Sequence, residues 1–400
     1  MDEVQPAIEV PLGAQPLAIR WPVRLLATVP ASLMLALLLW QLQLPVPLVI
    51  AICVVGAVAA AGWVLLAKRR PPAPPPLRID PVAVGFPGRG RFGRLVDVVV
   101  PLADLVLVRA LNSGLLLATK SGGAHLVPRP MFPPQTPPEQ VLEALVRFIS
   151  LRPDAEAMLR RLEDNEARAV AFQQRKTPVT FAAAALCVGL FLIELRTGAL
   201  EESDGRTLLR LGANAPALVR QGEIWRLVTA NLLHGSLLHL AMNVSALLGI
   251  GAVLERWLGR TAFFVVLFGS CVGGALGSAL AARAPMSVGI STGLFGLLGV
   301  LLVTSVRYRQ APLAGPRVPL RSWIWMILIN GGLSLLPIVD GAAHGAGLLA
   351  GILLALLIAP APGRAALLRG RSLAVVGILC GLVILAAGAA AVLAAAPAGP

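Results

Sequence analysis

Long uninterrupted apolar runs are the feature that most constrains the fold of this chain. Two of them come first and seven more begin at residue 179, at about 24–42, 46–66, 179–195, 232–254, 261–282, 289–306, 322–338, 341–360 and 372–396. A helix of about 20 apolar residues can cross the roughly 30 Å hydrocarbon core of a bilayer. Only 14% of the residues are charged, well below the quarter or so that is usual in soluble domains. The chain is therefore predicted to be an all-α polytopic membrane protein whose first run stays in the membrane as an anchor.

The positions of the basic residues predict how the runs are oriented. Basic clusters occupy alternate connections, at 68–70, 175–176, 256–260, 307–321 and 364–371. Cytoplasmic loops of membrane proteins carry an excess of Lys and Arg, so these connections are expected in the cytoplasm and the intervening loops outside. The net charge of +14 is interpreted as topology, and no nucleic-acid partner is expected. The predicted location is a cell membrane, with the Ala-, Gly-, Pro- and Arg-rich composition favouring a bacterial inner membrane.

The chain divides into four predicted regions. Residues 1–70 are expected to form a transmembrane two-helix hairpin. Residues 71–176 contain short strand-like runs followed by helical segments, which indicates a small soluble α+β domain in the cytoplasm. This order resembles the small pleckstrin-homology-like domains that follow membrane hairpins in bacteria, and a soluble spacer of unknown role fits equally well. Residues 177–360 form the main membrane core, and residues 361–400 add one C-terminal transmembrane helix.

Strongly polar side chains within the apolar runs mark a candidate site. They fall in three segments: HGSLLHLAMN at 234–243, VGISTGLFGLLG at 288–299 and DGAAHGAGLLAG at 340–351. Polar and ionisable groups at membrane depth are costly, so by default they indicate function. All three segments lie at a similar predicted depth, toward the external side.

The chemistry of these side chains favours acyl transfer. A serine at the start of a helix, such as Ser291, has free backbone N–H groups and the positive end of the helix dipole beside it. His344 could take the hydroxyl proton, while His239 and Asn243, four residues apart on one helix face, could donate to an oxyanion. Each residue alone has a simpler interpretation, since a lone membrane serine is usually a packing residue. Asp340 is interpreted as a helix N-cap rather than as a third catalytic group.

The spacing of these residues resembles the rhomboid family of intramembrane serine proteases over about residues 179–360. Three family motifs are matched in the correct order: H-x4-H-x3-N, G-x-S with an aromatic residue four positions later, and A-H-x2-G-x3-G. A Trp-Arg pair ends the first external loop, and a glutamate lies at the cytoplasmic end of the next helix, as in the family. The matching residues are His234, His239, Asn243, Gly289, Ser291, Phe295, Ala343, His344, Gly347, Gly351, Trp225, Arg226 and Glu255.

The resemblance implies a six-helix rhomboid-like core that is followed here by one extra helix. Ser291 would be the nucleophile, and His344 the general base and later the general acid. The Ser291 N–H would form the oxyanion site together with His239 and Asn243. Phe295 would stack on the His344 ring.

The same resemblance implies a protease that hydrolyses peptide bonds in or near transmembrane segments. Its partners would be transmembrane protein substrates and the lipid bilayer. No metal and no organic cofactor are implied. The cytosolic domain could recruit a further partner or lipid headgroups, or restrict substrate access.

Thr292 departs from the glycine that usually follows the nucleophile in this family. A β-branched residue adds bulk beside the oxyanion site and restricts the backbone. It supports one alternative, a catalytically inactive rhomboid-like protein that binds client transmembrane helices. A second alternative, a transporter with a polar proton path, would predict related halves with interrupted helices, and the sequence has no convincing internal repeat.

Overall fold

The computed structural model describes most of the chain outside the N-terminal apolar segment. The described residues are 7–12, 74–89, 95–120, 123–199, 205–308, 316, 318, 323, 326, 339–359 and 367–395. The predicted hairpin at 24–66 lies outside them, and so does the predicted helix at 322–338 except for Trp323 and Met326. The chain forms two compact units, Met1–Arg168 and Ala169–Pro400.

The first unit contains two antiparallel sheets, one complete helix and most of a second helix. Strands β1 to β4 form one sheet in sequential order and β5 to β7 form the other. The strands are β1 (Ile8–Val10), β2 (Leu77–Ile79), β3 (Ala83–Arg89), β4 (Leu95–Pro101), β5 (Leu105–Leu111), β6 (Gly114–Thr119) and β7 (Ala124–Pro128). Helices α1 (Pro138–Ser150) and α2 (Ala155–Gln174) follow. A small α+β domain is thus present, while its solubility and its pleckstrin-homology-like assignment stay predictions.

Apolar periodicity explains how this unit forms its core. In β2, Leu77 and Ile79 are buried and the residue between them is exposed, because successive strand side chains point to opposite faces. In α1, Val141, Leu145 and Phe148 recur at helical spacing and are buried. These side chains belong to one cluster that spans both sheets and α1. Removal of their apolar surface from water stabilises the unit.

Strand β1 lies upstream of the predicted hairpin and yet belongs to the sheet. It pairs antiparallel with β2, with Ile8 opposite Ile79 and Val10 opposite Leu77. The boundary predicted at residue 71 did not include this strand, because a three-residue strand offers too short a pattern to recognise. The residues on either side of the two first apolar runs therefore belong to one sheet.

The second unit is helical and apolar. Its helices are α3 (Pro178–Arg196), α4 (Arg206–Leu211), α5 (Pro216–Arg220), α6 (Arg226–Thr229), α7 (Leu237–Ala246), α8 (Ala252–Leu258), α9 (Arg260–Ala281), α10 (Ser291–Arg307), α11 (Gly341–Ile358) and α12 (Gly370–Ala395). A π-helical segment, Leu247–Gly251, joins α7 to α8. By length and composition, five described stretches could cross a membrane: Ala155–Arg196 (through α3), Leu237–Leu258, Arg260–Ala281, Gly341–Ile358 and Gly370–Ala394. The structure thus confirms a multi-pass helical membrane core.

Helices α9, α10 and α11 approach closely at glycines. A Cβ added at Gly351 would lie 2.1 Å from the carbonyl oxygen of Gly296, and one at Gly347 would lie 2.3 Å from that of Thr292. A Cβ at Gly274 of α9 would lie 2.5 Å from the Thr292 Cβ. Small residues let membrane helices pack backbone to backbone. This packing brings the beginning of α10 beside the first turns of α11.

Two buried glutamates hold opposite ends of α3. Glu255, in α8, accepts hydrogen bonds from the Val179 and Thr180 N–H groups at 3.0 and 2.8 Å, and from the Thr180 hydroxyl at 2.7 Å. It thereby satisfies free N–H groups at the start of α3. Glu194, near the end of α3, accepts the His234 N–H with its two oxygens at 2.9 and 3.1 Å. Both carboxylates lie inside the apolar unit because they bind backbone donors.

Candidate active site

Ser291 is the first residue of α10 and follows a sharp turn of the chain. Gly289, two residues earlier, has a φ of +115°, in the left-handed region that favours glycine. A Cβ at Gly289 would lie 2.7 Å from Cε1 of His239 and 3.3 Å from Nδ2 of Asn243. Glycine therefore keeps a space open between the serine turn and α7.

Ser291 and His344 are within hydrogen-bonding distance. The Ser291 Oγ lies 2.9 Å from Nε2 of His344, which is in the first turn of α11. The His344 ring stacks on Phe295, with ring centroids 4.2 Å apart and planes 12° apart. Phe295 reaches this position because it lies four residues after Ser291 on the same helix face. A ring held in this way can accept the hydroxyl proton at Nε2 when its own proton is on Nδ1.

Asp340 caps the helix that carries His344. One of its oxygens accepts the Ala343 N–H at 3.0 Å, and the other accepts the hydroxyl of Ser278 in α9. Both oxygens are therefore engaged with groups other than the His344 ring. The predicted N-cap role of Asp340 is confirmed, and its contacts fix the start of α11 relative to α9.

His239 and Asn243 face the serine turn from α7. Ser236 is the N-cap of α7, and its hydroxyl accepts the His239 N–H at 3.2 Å. Asn243 is buried, and its Nδ2 has no hydrogen-bond partner among the residues that the structure describes. An unpaired buried donor destabilises a protein by about 1–3 kcal/mol. Here the donor lies beside the open space at Gly289, where it could bind a developing oxyanion.

His234 lies behind His239 rather than at the serine. It is fully buried, and its ring makes an edge contact with the His239 ring at a centroid distance of 5.2 Å. Its Nδ1 lies 3.2 Å from the Leu232 carbonyl oxygen, and its N–H is bound by Glu194. Glu194 was not predicted as a functional residue, although a carboxylate near the end of an apolar run is a usable signal.

Trp225 and Arg226 organise the loop before α7. The Arg226 guanidinium lies 4.5 Å from the centroid of a Trp225 ring and pairs with Glu223 at 2.7 Å. It also donates to the carbonyl oxygens of Leu209 and Ala213 at 2.6 and 3.0 Å. These bonds tie α6 to α4 and to the turn that follows α4. The pair therefore shapes the loop, and none of these bonds involves the Ser291 hydroxyl.

The residues predicted from the sequence thus form two groups. One group meets at a single end of the helical unit: Ser291, His344, Phe295, His239, Asn243 and Gly289. The other group holds loops and helices in place: His234, Trp225, Arg226, Glu255, Gly347 and Gly351. Within the described ranges, no group of three or more His, Cys, Asp or Glu side chains is suited to holding a metal ion. A nucleophile, a base and directed donors together suit acyl transfer.

Comparison with known proteins agrees with this arrangement. The Rhomboid domain family matches residues 221–361. Rhomboid protease GluP of Bacillus subtilis (strain 168) is 32% identical over 215 residues, which are 53% of this chain and 40% of that protein. RHOMBOID-like protein 4 of Arabidopsis thaliana is 37% identical over 151 residues, 37% of this chain and 38% of that protein. The chain therefore contains a rhomboid domain.

A further relative, Rhomboid-like protease 1 of Toxoplasma gondii, is 33% identical over 158 residues, 38% of this chain and 52% of that protein. The chain thus spans about half or less of the length of these relatives. The rhomboid domain at 221–361 contains the Ser291–His344 pair and the α7 donors, whereas Glu194 precedes it. The sheet domain also lies outside the match. Several relatives are named as proteases, which supports an intramembrane protease function for the family.

Proposed function

We propose that this rhomboid protein is an intramembrane serine protease that hydrolyses peptide bonds in or near transmembrane segments of membrane proteins. The observation that carries this proposal is the 2.9 Å distance between Ser291 Oγ and His344 Nε2. A serine hydroxyl becomes a useful nucleophile when a base within hydrogen-bonding distance removes its proton. The nearby α7 donors supply the second requirement, stabilisation of an oxyanion.

The reaction follows from these positions. His344 removes the hydroxyl proton while Ser291 Oγ attacks the carbonyl carbon of the scissile bond. The negative charge on the carbonyl oxygen is stabilised by the Ser291 N–H, His239 and Asn243. His344 then gives the proton to the leaving amine, and the C–N bond breaks to leave an acyl-enzyme. Water, deprotonated by His344, hydrolyses that ester and restores the serine.

The membrane setting limits the substrates. A peptide bond inside a regular helix is shielded by its hydrogen bonds, and unwinding in lipid exposes polar groups. Segments that unwind readily, with small residues near the scissile bond, would therefore be preferred. The distribution of basic residues supports an active site toward the external face of a cell membrane, and the composition favours a bacterial inner membrane.

The alternative function, a catalytically inactive protein that binds client helices, rests on Thr292. The Thr292 hydroxyl donates to Asn231 at 2.7 Å, and its Cβ lies opposite Gly274. The side chain therefore has its own space, and the distance between Ser291 and His344 is that of a hydrogen bond. These contacts favour the active protease over a binding protein.

The test uses the purified full-length chain with a fluorescently labelled transmembrane substrate and a fluorophosphonate probe. Ser291→Ala and His344→Ala should each reduce cleavage by about 1,000-fold or more, and Ser291→Ala should abolish labelling. Ser270→Ala is the matched control, because Ser270 is a buried serine of α9 outside the proposed chemistry. Equal product formation by the wild type and both variants would show that the assignment is wrong.

A further inference from the structure

A short 3-10 turn, Ala230–Leu232, binds the chain on both sides of Ser291. Before the serine, the Gly289 N–H donates to the Ala230 carbonyl oxygen at 2.9 Å. After the serine, the Thr292 hydroxyl donates to Oδ1 of Asn231 at 2.7 Å. Ser291 therefore lies between two hydrogen bonds to adjacent residues of one turn. The second bond depends on a threonine where rhomboid proteins usually have glycine.

Asn231 is held so that its oxygen faces Thr292. Its Nδ2 donates to the carbonyl oxygens of Leu227 and Val228 in α6, at 2.8 and 3.3 Å. Because both contacts are to acceptors, the amide nitrogen must be on that side, and the oxygen is left for Thr292. Asn231 is only 5% exposed, so water has little access to replace the threonine hydroxyl.

Thr292 is equally confined. It is 4% exposed, and a β-branched side chain in a helix has few allowed rotamers. The absence of a side chain at Gly274 in α9 leaves room for the Thr292 side chain, because a Cβ at Gly274 would lie 2.5 Å from the Thr292 Cβ. The hydroxyl is thus fixed toward Asn231. A glycine at this position would make no such bond.

We infer that Thr292 and Asn231 are positioning residues for the nucleophile. Their hydrogen bond fixes the first turn of α10, and with it the directions of the Ser291 Oγ and N–H. This inference rests on the proposed function, since it assigns the pair a role in the reactivity of Ser291. The pair itself touches neither the reacting atoms nor the His344 ring in the contacts described above.

A purely structural role would make different predictions from a positioning role. If the bond only stabilised the fold, its loss would lower the amount of folded enzyme and leave the kcat of the folded fraction unchanged. If the bond aims Ser291, its loss lowers kcat and slows covalent labelling of Ser291 while KM stays constant. The two roles are therefore separated by rates normalised to folded protein.

The experiment compares Thr292→Val with Thr292→Ser in the full-length chain. Valine keeps the shape but removes the donor and leaves the Asn231 oxygen unpaired, whereas serine keeps the hydroxyl. Thr292→Val should lower kcat and the fluorophosphonate labelling rate by about 10-fold with KM unchanged, and Thr292→Ser should stay within about two-fold of the wild type. The matched control is Thr304→Val, because Thr304 is buried in the same helix and its hydroxyl bonds to Leu301 of that helix at 3.0 Å.

A double-mutant cycle completes the test. Asn231→Ala should reduce the labelling rate, and adding it to Thr292→Val should cause little further loss, since both changes remove one bond. Additive losses would overturn the inference, as would a wild-type rate in Thr292→Val or an equal loss in Thr292→Ser. Failure of the wild type to label at Ser291 would overturn the proposed function together with this inference. Normal labelling that is insensitive to Thr292→Val would overturn this inference alone.

Discussion

The sheet domain (the first unit, Met1–Arg168) and the helical unit that contains the rhomboid domain (Ala169–Pro400, here called the rhomboid unit) bury different kinds of groups. The core of the sheet domain is filled by large apolar side chains, including Phe86 and Phe148, and Thr119 is its one buried polar residue among those described. The rhomboid unit buries many polar groups, namely Thr177, Thr180, Glu194, Thr207, Asn214, Arg226, Asn231, His234, Asn243, Glu255, Ser270, Ser278, Thr292 and Thr304. Its helices α9, α10 and α11 also approach one another closely at glycines.

The predicted surroundings of the two units, water for the first and lipid for the second, account for this difference. In water, burial of apolar surface drives folding, so large apolar side chains collect inside. In a bilayer the lipid is as apolar as the side chains, so helices associate through close packing and hydrogen bonds. The first unit should therefore be most sensitive to lost volume, and the second to added volume and to lost hydrogen bonds.

Removal of volume should have its largest effect in the sheet domain. Phe148 is 1% exposed within the core, and Phe148→Ala should destabilise this unit by about 3–5 kcal/mol through a cavity. Thermal unfolding of the full-length chain, monitored by limited proteolysis, measures the change in stability. Val146→Ala on the same helix, at a residue that is 39% exposed, is the control and should have little effect. Similar losses in both variants would contradict a core filled by Phe148.

Addition of a single methyl group at a close helix contact should destabilise the rhomboid unit. At Gly351 it would lie 2.1 Å from the Gly296 carbonyl oxygen, so Gly351→Ala should destabilise the α10–α11 pair by about 3 kcal/mol. The same change at Gly345 on the same helix meets nothing within 4 Å and should be neutral or stabilising. Unfolding of both variants in detergent gives the comparison. If Gly351→Ala is as stable as Gly345→Ala, the close backbone packing is absent.

Loss of a buried hydrogen bond should have a smaller effect. Glu194→Ala leaves the buried His234 N–H unpaired, which should destabilise the rhomboid unit by about 1–3 kcal/mol. Glu194→Gln keeps an acceptor oxygen and should recover most of that stability. Detergent unfolding and Ser291 labelling would be measured in parallel. Equal stability of the two variants would contradict a stabilising role for the acceptor oxygen at position 194.

An exposed ion pair should contribute least. Glu156 and Arg160 pair at 2.6 Å on α2, with side chains 81% and 74% exposed. Solvent screens such a pair and the two side chains lose freedom in making it, so Glu156→Gln should give no resolvable change in the unfolding temperature. The control is Arg168→Gln on the same helix. A clearly lower unfolding temperature in Glu156→Gln than in this control would show that the exposed ion pair contributes to stability.

Some features of this protein could be predicted from local sequence alone. The apolar runs predicted membrane helices because length and hydrophobicity decide membrane insertion without reference to neighbours. The four-residue spacing of His239 and Asn243 predicted one shared helix face, because the period of a helix is also a local property. Strand β1 could not be predicted, because three residues become a strand only when β2 lies beside them.

Local sequence alone predicted the long apolar helices of the rhomboid unit and the residues with the chemistry of a serine protease, but not the short helices α4, α5 and α6. The tertiary structure decided which of those residues meet. The 2.9 Å distance between Ser291 and His344 depends on glycine packing between α10 and α11. The bonds from Thr292 to Asn231 and from His234 to Glu194 likewise join distant parts of the chain. Hydrogen bonds require an approach of about 3 Å, and only the packing of whole helices fixes distances to that accuracy.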